Sequence, residues 1–333
     1  LIFNLLMINP LRIFIIISSV LIVFLMMFFT FISPELKMKS KDNYIADYEI
    51  FVKEIRVLHK NFTDEIKITT YGDIKDCRED IDYALISTCS NIRHKLLNDL
   101  LKTQKKIKHI ILEKVLFDRM NQYDDISKFI SKDTKIWVNT SRRHFDCYRE
   151  AKLFLANDEI TNINITGGGF GLGCNGIHFL DLVSFFSDTP KISSIHNALD
   201  ECIYPSKRDG FIEFHGSILG SSNHINFIIN SIANIKSPTV ISIISKGKMV
   251  YINEGQGKMI LIDNIKETRK EINFILPLLS EFSPEIVANL LKEGECMLPE
   301  LQESAQIHKP LINLFHNHAQ KYMELVEGHC PIT

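Results

Sequence analysis

Apolar and polar positions follow two different rhythms along this chain. Residues 81–88 (IDYALIST), 109–112 (HIIL) and 135–139 (KIWVN) are short, nearly continuous apolar runs, the pattern of strands covered on both faces. Residues 41–60, 91–103 and 122–130 read as helices around them, and 66–70 as one more short strand. Strands alternating with helices imply a parallel, doubly wound sheet. Ligands of such sheets bind beyond the carboxyl ends of the strands. That rim holds Ser87, Thr88, Asn91, His94, Glu113, Lys114 and Asn139, with Asn91 also suited to cap the helix that follows. Past residue 190 the rhythm changes. Residues 191–196, 210–219, 224–230, 239–245, 248–253, 258–262 and 271–274 are strand-like and joined by short polar turns, which implies a mostly antiparallel sheet. Residues 284–293 and 299–326 close the chain as helices, with Ser283 placed as an N-cap and Pro284 and Pro299 at first-turn positions. The expected organisation is therefore α/β over 1–144 followed by an α+β domain over 145–333.

Between the two textures lies a dense glycine cluster. Six of the fifteen glycines fall within residues 167–176, after a β-type run at 160–166 and before an apolar helical run at 177–186. Glycine accepts positive φ and close approach of backbone or ligand, so the stretch marks a shaped loop. His178 falls in the first turn of the expected helix, where the positive end of the macrodipole lowers an imidazole pKa. A neutral histidine over a glycine-lined hollow suits proton exchange with a hydroxyl, and a tight turn with a packed histidine is the plainer alternative. Lys114, directly after a buried strand, is suited to orient a carbonyl or hydroxyl, or to pair with Glu113 in solvent.

Residues 13–32 form an apolar run of bilayer-spanning length. Two buried strands, at 11–17 and 28–32, explain the same residues, and the basic residues flanking the run favour neither orientation of an anchor.

Composition narrows this picture only slightly. A chain of 333 residues with 45% hydrophobic content and a net charge of −2 is globular and shows no nucleic-acid footprint. Seven scattered cysteines without a CxxC pair indicate a reducing, cytoplasmic setting and no zinc knuckle. His316 and His318 read as surface residues on different sides of a helix rather than as metal ligands.

A parallel half whose strand ends in Glu113-Lys114, then the run NTSRRHF, then a glycine-rich loop entering G-I-H-x-x-D, resembles the Gfo/Idh/MocA oxidoreductase family. The resemblance runs from about residue 40 to the end. Its nearest branch serves bacterial surface-polysaccharide pathways, where LEK-V-L-F and GLGCN-x-IHF-x-DL occur as at 112–117 and 171–182 here. It implies a Rossmann-like domain, an open-faced sheet domain that pairs with another subunit, NAD or NADP as cofactor, and a sugar or nucleotide sugar as substrate. Lys114 and His178 match the family's catalytic pair. Ser87, Thr88, Asn91, His94, Glu113 and again Lys114 match its cofactor-binding positions. Asn175, Cys174 and Arg143 fall among the substrate-binding positions, with a structural salt bridge as the alternative for Arg142 and Arg143. Three departures stand out. Val115 replaces the family's proline after Glu-Lys, and Cys174 stands where an aspartate is common. No glycine precedes Gly72, so Gly-x-Gly-x-x-Gly is missing after the strand at 11–17. Without these glycines side chains fill the space a pyrophosphate needs. Residues 1–33 are thus expected to be a degenerate or frame-shifted opening that binds nucleotide weakly, in an impaired or sugar-binding subunit, membrane-tethered if 13–32 is an anchor.

Overall fold

A computed structural model describes residues 80–103, 105–129, 131–277 and 279–333, together with strands at 4–8, 13–17 and 68–71. By its internal contacts the chain divides into two units, 1–112 with 131–135, and 113–130 with 136–333. The expected boundary near 144 follows the change in strand rhythm, whereas the contacts assign Glu113 and Lys114 to the second unit.

The first unit is built on β1 (Asn4–Ile8), β2 (Ile13–Ile17), β3 (Ile68–Tyr71), β4 (Ile81–Ile86), α1 (Ser90–Leu101) and β5 (Ile107–Glu113). The parallel sheet read from the sequence is present, with β2 pairing β4 and β4 pairing β5 in parallel. Ile81, Ala84, Ile86, Ile110 and Leu112 are almost fully buried, as continuous apolar strands should be. The outer edge departs from a βαβ opening. β1 runs antiparallel to β2, and β3 antiparallel to β1. Only Asn9-Pro10-Leu11-Arg12 separates β1 from β2, and parallel neighbours need a crossover of a dozen or more residues. A hairpin is the one pairing open to so short a link. The strand at 13–17 displaces a helical reading of the start of the 13–32 run. The strand at 28–32 and the helix at 41–60 lie outside the described residues. Among the described residues no helix is long and apolar enough to cross a membrane. Asn91 does not cap α1; Cys89 holds that position, without a side-chain hydrogen bond.

The second unit contains α2 (Met120–Asp124), β6 (Lys135–Asn139, which enters it at residue 136), α3 (Asp146–Leu155), β7 (Ile160–Gly168) and α4 (Leu172–Ser187). There follow β8 (Ile192–Leu199), β9 (Tyr204–Pro205), β10 (Ile212–Glu213), β11 (Gly216–Ser222), β12 (Ile225–Ile232), β13 (Val240–Ser245), β14 (Lys248–Asn253), β15 (Lys258–Asp263) and β16 (Thr268–Asn273). Two helices close it, α5 (Leu279–Glu293) and α6 (Leu301–Ala319). The large sheet has the order β16-β15-β14-β13-β7-β12-β11-β8. Only β7 and β12 run parallel. Helix α4 buries Ile177, Phe179, Leu180 and Val183 completely, and each such burial contributes about 1.5–3 kcal/mol. Ser283 and Pro284 lie inside α5 rather than at its start. Likewise His316 and His318 are buried, not on the surface. His316 Nδ1 bonds the His329 carbonyl at 2.9 Å and His318 Nε2 the Asp200 carbonyl at 3.0 Å. Anchoring two loops gives these imidazoles polar partners that a sequence cannot show.

Candidate active site

Lys114 follows β5 directly, and its side chain reaches the first turn of α4. Nζ donates to the Cys174 carbonyl at 3.0 Å and lies 3.1 Å from Cys174 Sγ. The Lys114–Val115 peptide is cis. One turn beyond Cys174 along the same helix comes His178, 8% exposed, with Nδ1 buried and without a hydrogen-bond partner among the described residues. Burial holds its pKa well below 6.5, helped by the charges of Lys114 and Arg142 and by His308. The cause differs from the expected one. Helix α4 begins at Leu172, so His178 is its seventh residue, beyond the first turn where the dipole acts strongly.

Why the helix begins inside a glycine cluster is explained by its N-terminal amides. Leu172 N–H donates to the Phe214 carbonyl at 2.9 Å, Gly173 N–H to Glu213 Oε1, and Cys174 N–H to Glu213 Oε2 at 3.1 Å. Asn175 N–H donates to the Gly171 carbonyl at 2.9 Å. The donors that a helix start normally leaves open are therefore filled by the β10–β11 segment. Glycine is favoured at 171, where φ is +71°; at 173 a Cβ would sit 2.7 Å from Glu213 Oε1, so the carboxylate would have to move. The hollow that the sequence suggested for a ligand is occupied here by a carboxylate. Sequence reasoning missed Glu213; its only signal was one acid inside the apolar run FIEF at 211–214.

Of the other candidates, Cys174 meets Lys114 through its carbonyl and sulfur, and Asn175 Nδ2 donates to the Phe170 carbonyl. Arg143 is engaged elsewhere. Its Nε and Nη2 donate to Asp181, at 2.9 and 2.5 Å, and Nη1 and Nη2 to Glu303 at 3.1 Å. That is the structural salt bridge, and it leaves little of the guanidinium for substrate. Arg142 pairs with Glu254, which also accepts from Tyr148 Oη at 2.5 Å, and lies 4.4 Å over the Phe179 ring. Glu113 accepts from Asn139 Nδ2 at 2.5 Å. A cleft of about 730 Å³ at the far end of α4, lined by Leu153, Phe185 and Met297, contains none of these residues.

In the first unit, Ser87 and Thr88 are buried just after β4, and Asn91 and His94 lie on the first turns of α1. The Thr88 carbonyl accepts from Arg93, while its buried Oγ1 has no partner among the described residues. Hydroxyls and an amide at a strand-end rim fit a ribose or a carboxamide. Among the described residues no cluster of metal-ligating side chains occurs.

The two folds together are those of Gfo/Idh/MocA-type oxidoreductases. No family model and no curated protein matches the sequence. Solved structures do match. An NAD-binding oxidoreductase from Klebsiella pneumoniae is 13% identical, with a TM-score of 0.60 over 77% of this chain and 84% of that one. UDP-N-acetylglucosamine 3-dehydrogenase GnnA from Acidithiobacillus ferrooxidans is 8% identical, with a TM-score of 0.56 over 70% and 77%. The transcriptional regulator Gal80p from Kluyveromyces lactis is 12% identical, with a TM-score of 0.60 over 76% of each chain. Identities this low carry the fold. A fold shared by dehydrogenases and a transcriptional regulator leaves the chemistry to be argued from the site.

Proposed function

We propose that this chain is an NAD(P)-dependent oxidoreductase acting on a carbinol carbon of a sugar or nucleotide sugar, in the cytoplasm and in surface-polysaccharide synthesis. The observation that carries the reading is an ammonium held on the turn of α4 that precedes a buried, uncharged imidazole. When bound, the nicotinamide supplies or accepts the hydride. Ser87, Thr88, Asn91, His94 and Glu113 would hold it. His178 accepts the hydroxyl proton in oxidation and returns it in reduction. Lys114 stabilises the negative charge that develops on the oxygen. Cys174 and Asn175 bound the place where that oxygen sits. The open face of the large sheet exposes Ile228, Ile232 and Ile244, which supports pairing with a second copy.

Turnover of nucleotide sugars followed by reduced-nicotinamide absorbance tests this. His178→Gln lowers kcat by about 10²–10⁴-fold while leaving cofactor affinity near the parent value, and Lys114→Met lowers kcat by a similar factor. Parent-like kcat in both variants would remove the assignment.

A second reading, a sugar-binding or assembly subunit without turnover, is favoured by one feature. The opening of the first unit is a hairpin, with no glycine before Gly72, where a pyrophosphate would need close backbone approach. Isothermal titration with NADH and NADPH decides between them: micromolar binding rejects the second reading, and absence of binding rejects the first.

A further inference from the structure

Glu213 lies on β10, forty residues along the chain from the helix it touches, and its carboxylate makes three backbone bonds. Oε1 accepts from Gly173 N–H, and from its own neighbour Phe214 N–H at 2.8 Å; Oε2 accepts from Cys174 N–H at 3.1 Å. Burial raises the pKa of this carboxyl above 4.5, against the pull of those three N–H groups and of the Lys114 charge. Cys174 is thus held at both ends, its N–H by Glu213 and its carbonyl by Lys114. Two glycines keep the space open, since a Cβ at either 171 or 173 runs into the Glu213 carboxyl group. Neighbouring contacts of the same segment reinforce the arrangement. The Phe214 carbonyl receives Leu172 N–H, and Ser231 Oγ receives Gly171 N–H at 3.2 Å.

We propose that Glu213 is a positioning residue, whose carboxylate sets the first turn of α4 and through Cys174 the place of Lys114 relative to His178. A role in turnover rests on the oxidoreductase reading above; the positioning itself does not. Glu213 touches no reacting atom in this scheme. It works because a carboxylate offers two acceptors in one plane to consecutive amides at a helix start, where negative charge is favoured. An amide in its place offers one acceptor and turns a donor toward the other N–H.

The test compares Glu213→Gln with Gly173→Ala, which changes no titratable group and displaces the carboxylate by its methyl. Amide hydrogen exchange of the full chain is expected to show loss of protection at Gly173 and Cys174 in both variants, with the amides of Phe179 to Val183 unchanged. The imidazole resonances of His178 shift in both, because the Lys114 charge has moved. In turnover, kcat falls about 10- to 100-fold, as for a misplaced catalytic group, with KM near the parent value. Unchanged exchange at Gly173 and Cys174, or unchanged His178 resonances, overturns the proposal whatever the activity. If the parent chain shows no turnover with any nucleotide sugar while exchange and resonances change as stated, the positioning role stands and the oxidoreductase reading falls. A Glu213→Gln variant that fails to fold is replaced by Gly173→Ala alone, for which the same outcomes decide.

Discussion

Lys114 and His178 show how two ordinary side chains acquire a special state from their surroundings. A lysine after a strand is normally solvated, and here it spans to a helix carbonyl and a thiol. Histidine titrates near 6.5 in water, yet burial beside two cations leaves His178 uncharged. The sign follows from the cause: a group whose charged form is disfavoured releases its proton at lower pH. NMR titration of the imidazoles is therefore expected to find His178 uncharged at pH 6.5, its midpoint rising in Lys114→Met because one of the lowering charges is gone. A midpoint at or above the usual histidine value would contradict the burial seen here. Cys174 belongs to the same scale. A thiol accepts hydrogen bonds weakly, so of the two contacts that Lys114 Nζ makes with Cys174 the one to the carbonyl is the stronger.

Helix α4 is the element on which the site is assembled. Glycine costs about 1 kcal/mol relative to alanine inside a helix, so the pattern of residues placed the start after the cluster, at 177. The structure starts it five residues earlier because Glu213 and Phe214 satisfy its first amides. Local propensity was outweighed by three long-range hydrogen bonds. Farther along α4, Asp181 is fully buried and ion-paired with Arg143, which lies just before α3; Glu303 of α6 joins from the other side. Removing one partner of such a pair leaves a buried charge, which costs about 3–5 kcal/mol. Arg143→Met is therefore expected to lower unfolding free energy by that amount in a denaturant titration. Arg143→Lys recovers only part, because an ammonium cannot bond both carboxylate oxygens in the planar manner of a guanidinium. If Arg143 bound substrate instead, the loss would appear in KM with stability unchanged.

Across the whole molecule, buried histidines couple stability to pH. His144, 3% exposed, is lowered to about 4 by burial and by the charges of Arg149 and Arg143. Its folded value lies below the unfolded 6.5, so the unfolded chain takes up the proton first. Stability from this group is complete above pH 6.5, declines as pH falls from 6.5 to 4, and changes no further below that. The decline amounts to about 3 kcal/mol. Asp181 acts in the opposite sense, since burial lifts it to about 6 against the pull of Arg143. Over pH 6 to 3.8 its contribution to stability rises as pH falls. The comparison is therefore made between parent and His144→Gln. The variant is expected to lose less stability between pH 7 and pH 4, and an equal loss in both chains would remove His144 as the cause.

What the sequence determined by itself was whatever depends on local pattern: the parallel strands read at 81–88 and 109–112, the mostly antiparallel run read from 191 to 274, and the Glu-Lys and Gly-Ile-His motifs that bring Lys114 and His178 into view. Periodicity reports which faces are buried, and a motif reports chemistry at fixed spacing, so both survive without coordinates. The tertiary structure alone decided the antiparallel pairing of β1 with β2, the early start of α4, the salt bridge that claims Arg143 and the carboxylate that fills the glycine hollow. Each depends on partners brought together by folding or on which pairing the chain adopts. The energy of a hydrogen bond or ion pair between residues 173 and 213, or 143 and 181, exists only once the fold has closed the distance.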